Sequence, residues 1–233
     1  MNRPDKLLRV HDLLREQCPD LISLSETKKT NFDYFQLRTL DPVGKYTWNW
    51  LPSIRTAGGI LVGVSVDLFE VISWNINQYC VTVLLKNKND NNMWRYISVY
   101  GTAYEEQKLA FINELHNVMA SWVGPTAIGG DFNLIREASE KSSGNINQHW
   151  ADLFNDWINR FGLLEIKSAG RRFTWANNQD NLIMAILDRV FSTTCWDQMY
   201  PTSNVKTLAR VGSDHTQSKD VQIWEVVATC GRF

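Results

Sequence analysis

The chain has few cysteines, no long apolar run and no excess of charge of either sign, and each lack excludes something. Cys18, Cys80, Cys195 and Cys230 are its 4 cysteines in 233 residues. They lie far apart with no CxxC pair and no Cys/His cluster, which argues against a zinc site and against a compact disulfide framework. A reducing compartment fits that usage best. The longest apolar stretch, around GGILVGVSV, falls far short of the about 20 residues a membrane helix needs, and MNRPDKLLRV lacks the apolar core of a signal peptide. A nuclear or cytoplasmic location with no membrane contact is therefore expected. With 24 basic and 25 acidic residues the net charge is −1, so no global field draws in a polyanion and no Lys/Arg run forms a basic arm. Any contact with nucleic acid must be local. Internal repeats and low-complexity segments are also missing.

What is there describes a globular chain, 44% hydrophobic and 21% charged, long enough to bury roughly 70% of its unfolded surface. Leu7, Val10, Leu14 and Cys18 recur at helical spacing from Asp5 onward, and Pro19 ends the pattern. DLISLSE is a strand-like run whose end presents Glu26, and AGGILVGVSV, FEVISWNI, YCVTVLLK and MWRYISVYG follow as strands, with a hairpin turn at Asn87 to Asn92. A second helix, from about Glu105 to Trp122, places Leu109, Ile112, Leu115, Val118 and Met119 on one face. A third, from Gln148 to Phe161, carries Trp150, Leu153, Phe154, Trp157, Ile158 and Phe161, with Gly162 as its C′ residue. RRFTWAN, AILDRVF and SNVKTLA are further strand candidates, and residues 139–147 read as a surface loop beside a site. Many strands with three helices predict an α/β (α+β) protein whose mixed or antiparallel sheets are covered by helices.

Four short phrases stand at the ends of apolar runs: SETK at Ser25 to Lys28, GGDFN at Gly129 to Asn133, LDRVF at Leu187 to Phe191, and SDH at Ser213 to His215. Singly, each has a plain structural reading. GGDFN is a strand and a glycine-assisted turn, SDH a polar turn, and Glu26 a residue favoured at a helix start. Tyr100 is by default a core or rim aromatic, and Lys28 with Lys29 a solvated pair. Together, the phrases deliver Glu26, Asp131, Asp188 and Asp214 to one rim, as a sheet does with acidic side chains at its strand ends. Converging carboxylates can hold Mg²⁺, which neutralises charge on a phosphorane-like transition state and activates water. His215 could give a hydrogen bond or a positive charge to a phosphate oxygen. Phosphodiester hydrolysis is the leading reading.

LSETK, SVYG, GGDFN, GRRFTWANN (Gly170 to Asn178), LDRVF and GSDHT occur in an order that resembles the endonuclease/exonuclease/phosphatase superfamily. Within it, the chain looks most like the endonuclease domain of plant non-LTR (LINE-type) retrotransposon proteins, from about Asp5 to Thr216. The resemblance implies a DNase I-like two-layer β sandwich flanked by helices, and a Mg²⁺-dependent DNA endonuclease, with Mn²⁺ as the alternative ion. Glu26 looks like the principal metal ligand, Lys28 like its supporting cation, and Asp214 like a further metal-site carboxylate. Tyr100 resembles the tyrosine that contacts the scissile phosphate. Asp131 is similar to the residue that orients or deprotonates the attacking water, with Asn133 binding phosphate or positioning that water. Asp188 looks like the carboxylate that orients the site histidine, and His215 like that histidine.

The chain also departs from the family. The first family strand, with its Trp-Asn phrase, finds no counterpart, and Trp74-Asn75 stands at the wrong place to replace it. An unpaired strand edge inside the core is the expected result. After Thr216 the family's apolar strand gives way to polar TQSKD, as a change of frame or splice junction would produce. The expected division is a superfamily-like domain over residues 1–217 and a divergent tail over 218–233, in which VQIWEVVATC could still supply a strand. The protein is expected to be a monomer whose partner is DNA; the reverse transcriptase module of an intact element has no counterpart in the sequence. The alternatives to a target-nicking endonuclease are an inactive truncated relic of that domain and a phosphatase of the same superfamily.

Overall fold

Hydrophobic alternation along the strands sorts the chain into layers. The computed structural model describes residues 4–54, 58–169, 172–177, 181–207 and 223–227. In chain order the elements are α1 (Pro4–Gln17), β1 (Leu21–Ser25), α2 (Tyr34–Leu40), β2 (Tyr46–Leu51), β3 (Ile60–Ser65), β4 (Phe69–Ile76), β5 (Cys80–Asn87), β6 (Met93–Tyr100), α3 (Lys108–Ala120) and β7 (Thr126–Asp131). There follow α4 (Gln148–Arg160), β8 (Leu164–Glu165), β9 (Ser168–Ala169), β10 (Trp175–Ala176), β11 (Met184–Ala185), β12 (Asp188–Ser192), α5 (Thr194–Met199), β13 (Asn204–Thr207) and β14 (Ile223–Val227). One sheet runs β2-β3-β1-β14-β13-β9, a second runs β4-β5-β6-β7-β12-β8, and β10 pairs with β11 alone.

The two large sheets face each other. Between them lie Val62 and Val64 of β3, Val81, Val83 and Leu85 of β5, and Trp94 and Tyr96 of β6. The intervening residues point outward. Ile22, Leu24 and Leu61 pack under α1 and α2, against Leu7, Val10 and Leu14. Ile97 and Val99 pack under α3 and α4, against Phe111, Leu115, Phe154 and Trp157. Strands covered on both faces need apolar residues at nearly every position, which explains why all five residues of β1 are buried. Even the polar Ser23 on β1 is satisfied across the layers, its hydroxyl 2.6 Å from that of Ser98 on β6.

Most of the elements read from sequence are present, with corrections. The described residues hold five α-helices rather than three. The seven-residue α2 offers too few turns for periodicity to register, although Asp33 and Gln36 form a capping box at its start. Strand β2 also went unread. A 3₁₀ turn over Glu105–Gln107 delays α3 until Lys108 and shifts its phase, so Leu109 lies 53% exposed instead of on the buried face. Helix α4 ends as expected: Gly162 takes φ 57°, and Leu163 N donates to Ile158 O at 3.0 Å, the closing bond of a Schellman turn. The phrase GRRFTWANN yields only the two-residue β10, and Gly170, Arg171 and Asn178 lie outside the described residues.

The expected open edge is not found. Strand β1 is antiparallel to β3 on one side and to β14 on the other. Strand β14 comes from the segment VQIWEVVATC, and it is in turn antiparallel to β13. That segment places a strand in the interior of the first sheet, so β1 has a hydrogen-bonded neighbour on each side.

Candidate active site

Strand register decides which side chains meet at the rim. Trp94 and Tyr96 face the space between the sheets while Ile97 and Val99 face the helices, so Tyr100, at the end of β6, points to the inter-sheet side. Tyr100 lies beside Asp131 in the parallel β6/β7 pairing, and Asp131 lies opposite Asp188 in the antiparallel β7/β12 pairing. Residues in register share a face, which sets Tyr100, Asp131 and Asp188 in one row across three strand ends. From the other sheet Glu26 follows β1 directly, and the Tyr100 hydroxyl donates to Glu26 Oε1 at 2.7 Å. One hydrogen bond thus joins the two layers at this rim.

Burial, the Glu26 carboxylate and, more weakly, Asp131 push the Tyr100 phenol far above its ordinary pKa. Tyr100 therefore keeps its proton and remains a donor at every working pH. Asp131 and Asp188 form a second electrostatic feature. Like charges directly opposite in an antiparallel pair destabilise a sheet, and Asp188 is only 5% exposed.

The backbone is strained where these residues are presented. Glu26, Lys28 and Asn133 have φ of 53°, 54° and 49°, the left-handed region that non-glycine residues rarely enter and that clusters at functional sites. Thr27 N and Lys28 N donate to Gly59 O and Gly58 O at 3.1 and 2.9 Å, so the start of β3 props the turn that carries Glu26. Asn133 is held twice: its N donates to Asp131 Oδ1 at 2.9 Å, and its Nδ2 to Gly101 O at 2.8 Å. Gly130 admits no side chain, since a Cβ there would lie 2.0 Å from Val99 O at φ 143°. The glycine of GGDFN therefore lets β7 approach β6 closely enough to align Asp131 with Tyr100.

Of the site residues read from sequence, Glu26, Tyr100, Asp131, Asn133 and Asp188 gather at this rim. Lys28 shares the turn with Glu26, and Asp214 and His215 lie outside the described residues. Other contributors went unread. Thr174 Oγ1 accepts from Leu187 N and Asp188 N at 2.9 and 3.0 Å, so the phrase FTW positions the start of β12. On the helix-facing side of β12, Arg189 is buried and pairs with Glu140 and, at 2.6 Å, with Glu165 Oε1; Arg136 pairs with Glu165 as well. An arginine in the otherwise apolar run RVF was the one local signal of that network.

Mg²⁺ is characteristically held by one or two carboxylates, with water and substrate phosphate completing its shell. Among the described residues no group of three or more His, Cys, Asp or Glu converges on one point. The hard oxygen donor Glu26, held half-buried beside the Asp131–Asp188 pair, fits an open site of that kind and not an all-protein cage.

The chain belongs to the Endonuclease/Exonuclease/phosphatase family, whose model matches residues 1–215. Solved structures share its fold at low identity. The endonuclease domain of TRAS1, a telomere-specific non-LTR retrotransposon, aligns with TM-score 0.68 and 10% identity over 97% of this chain and 94% of that one. TDP2 of D. rerio, complexed with a single-strand DNA product, aligns at 0.63 and 12% over 97% and 92%. The human Nocturnin catalytic domain aligns at 0.59 and 13% over 97% and 88%. No curated protein sequence matches significantly. The architecture is the expected DNase I-like one, mixed sheets flanked by helices. The family spans endonucleases, exonucleases and phosphatases, so its general class is the hydrolysis of phosphate esters, and family members generally depend on a divalent metal. Among the described residues no helix is long and apolar enough to cross a membrane.

Proposed function

We propose that the chain is a Mg²⁺-dependent DNA endonuclease of retrotransposon descent, which nicks target DNA by hydrolysis and leaves a 3′-hydroxyl. The observation that carries this reading is the strand-end row Tyr100, Asp131, Asp188 with Glu26 brought to it from the opposite sheet. Glu26 would hold the metal, with Asp214 as a further ligand and Lys28 as a supporting cation. When bound, the ion supplies charge neutralisation at the phosphate and a more acidic water. Asp131 takes the proton of the attacking water or orients it, and Asn133, fixed by Asp131 and Gly101, positions that water or the phosphate. Tyr100, its phenol held protonated by burial and the Glu26 carboxylate, donates to that carboxylate and would contact the scissile phosphate. Asp188 orients His215, which steadies the developing charge.

The test is conversion of supercoiled plasmid to open circles by the purified chain. Nicking with Mg²⁺ and none in EDTA is the expected result; no nicking by a folded sample overturns the reading in favour of an inactive relic. In the same assay Tyr100→Phe should nick at least about tenfold more slowly, the worth of roughly 1.4 kcal/mol for a hydrogen bond to a charged group. Its circular dichroism should match the parent, because the ring stays packed. A full-rate Tyr100→Phe would remove the hydroxyl from the mechanism.

A further inference from the structure

Four residues beyond Tyr100, the ring of Tyr104 stands 61% exposed on a loop fixed from both sides. Tyr104 N donates to Thr102 Oγ1 at 3.1 Å, and Thr102 Oγ1 in turn donates to Gln107 Oε1 at 3.0 Å. Gln107 N closes the turn onto Tyr104 O at 3.1 Å, and Thr102 itself is only 6% exposed. Next along the chain, the Glu105 carboxylate accepts from Asn147 Nδ2 at 2.9 Å and from Trp150 Nε1, and pairs with Lys108 at 3.3 Å. At the other end of the loop, Gly101 N donates to Asp131 O at 2.6 Å, and Gly101 O receives the Asn133 amide. The loop is thus fastened to the two residues that position the attacking water.

A single exposed aromatic is ordinary on a protein surface. An aromatic whose backbone is fixed by this many bonds, on the loop that leads from Tyr100 and is tied to Asp131 and Asn133 through Gly101, has a specific use. Building on the nuclease reading, we infer that Tyr104 is a stacking platform for an unpaired base of the strand being cut, next to the scissile phosphate. A base inside a duplex has both faces covered by its neighbours, whereas an unpaired base offers a free face to a side chain. The charge of the chain points the same way. With a net charge of −1 no global field draws in a polyanion, and base stacking is a contact that needs none.

Fluorescence anisotropy in EDTA tests this without turnover, using a dye-labelled single-stranded oligonucleotide and the same sequence folded as a fully paired hairpin. The parent should bind the single strand more tightly. Tyr104→Ala should lose roughly 5- to 150-fold on the single strand, as loss of one stacked base implies, with little change on the hairpin, while Tyr104→Trp retains the parent affinity. On an abasic strand, which keeps the phosphates and lacks the bases, parent and Tyr104→Ala should bind alike. A parent that binds nucleic acid but shows no Tyr104→Ala loss overturns the platform alone. A parent that binds neither probe overturns the nucleic-acid reading and the platform with it.

Discussion

Asp131→Ala should leave a folded protein that no longer nicks plasmid DNA. The substitution removes the carboxylate that orients the attacking water, a role worth typically 10²- to 10⁴-fold in rate, and releases Asn133 N from Asp131 Oδ1. Stability should hardly change, because two effects oppose each other. The turn loses one hydrogen bond, about 1 kcal/mol, while β7 and β12 lose the repulsion between Asp131 and Asp188. The melting temperature is expected within about 4 °C of the parent. Initial nicking rates and a thermal melt on the same preparation check both halves. Unchanged nicking would remove Asp131 from the site, and an unfolded variant would mean that the residue serves the fold.

Arg189→Met should do the reverse and strongly destabilise the protein while touching no candidate catalytic group. The Arg189 side chain is 1% exposed, and its guanidinium is shared by Glu140 and Glu165, which are 11% and 17% exposed. Removing it leaves two largely buried carboxylates with, among the ion pairs of the described residues, the Arg136 guanidinium on Glu165 and no cation on Glu140, which keeps the Arg136 backbone N–H at 2.7 Å. Removing one partner of a buried pair costs about 3–5 kcal/mol, whereas replacing all partners by apolar residues is often tolerated. Urea unfolding should therefore show a midpoint well below that of the parent, recovered in part when Glu140→Leu is added. A change under about 1 kcal/mol would show that water reaches these groups and that the network holds nothing together.

The sequence made the rim legible and left its supports hidden, for a physical reason. Glu26, Tyr100, Asp131 and Asp188 each end or begin an apolar run, a local pattern that can be read without knowing which strands are neighbours. Their roles came from the family resemblance, not from that pattern. By contrast, Arg189 meets partners 24 and 49 residues away, and nothing local to Glu140 or Glu165 announces the pairing. Thr174 is similar: its hydroxyl serves backbone groups 13 and 14 residues onward, so FTW reads as an aromatic alternation and conceals the anchor. The three longest helices announced themselves by periodicity, while the seven-residue α2 and six-residue α5 are held by packing more than by propensity. Strand β14 was foreseen as an element, but its place beside β1 is a matter of topology, which no local pattern encodes.

Glu26 belongs to one sheet and Tyr100, Asp131 and Asp188 to the other, so the candidate site is a seam between layers. A slip of one sheet past the other by a single residue step, roughly 3.3 Å, exceeds the 2.7 Å span of the Tyr100–Glu26 bond and would part the acid from its partners with both sheets intact. Turnover in such an architecture reports on alignment, and it can be lost by displacement long before any strand melts.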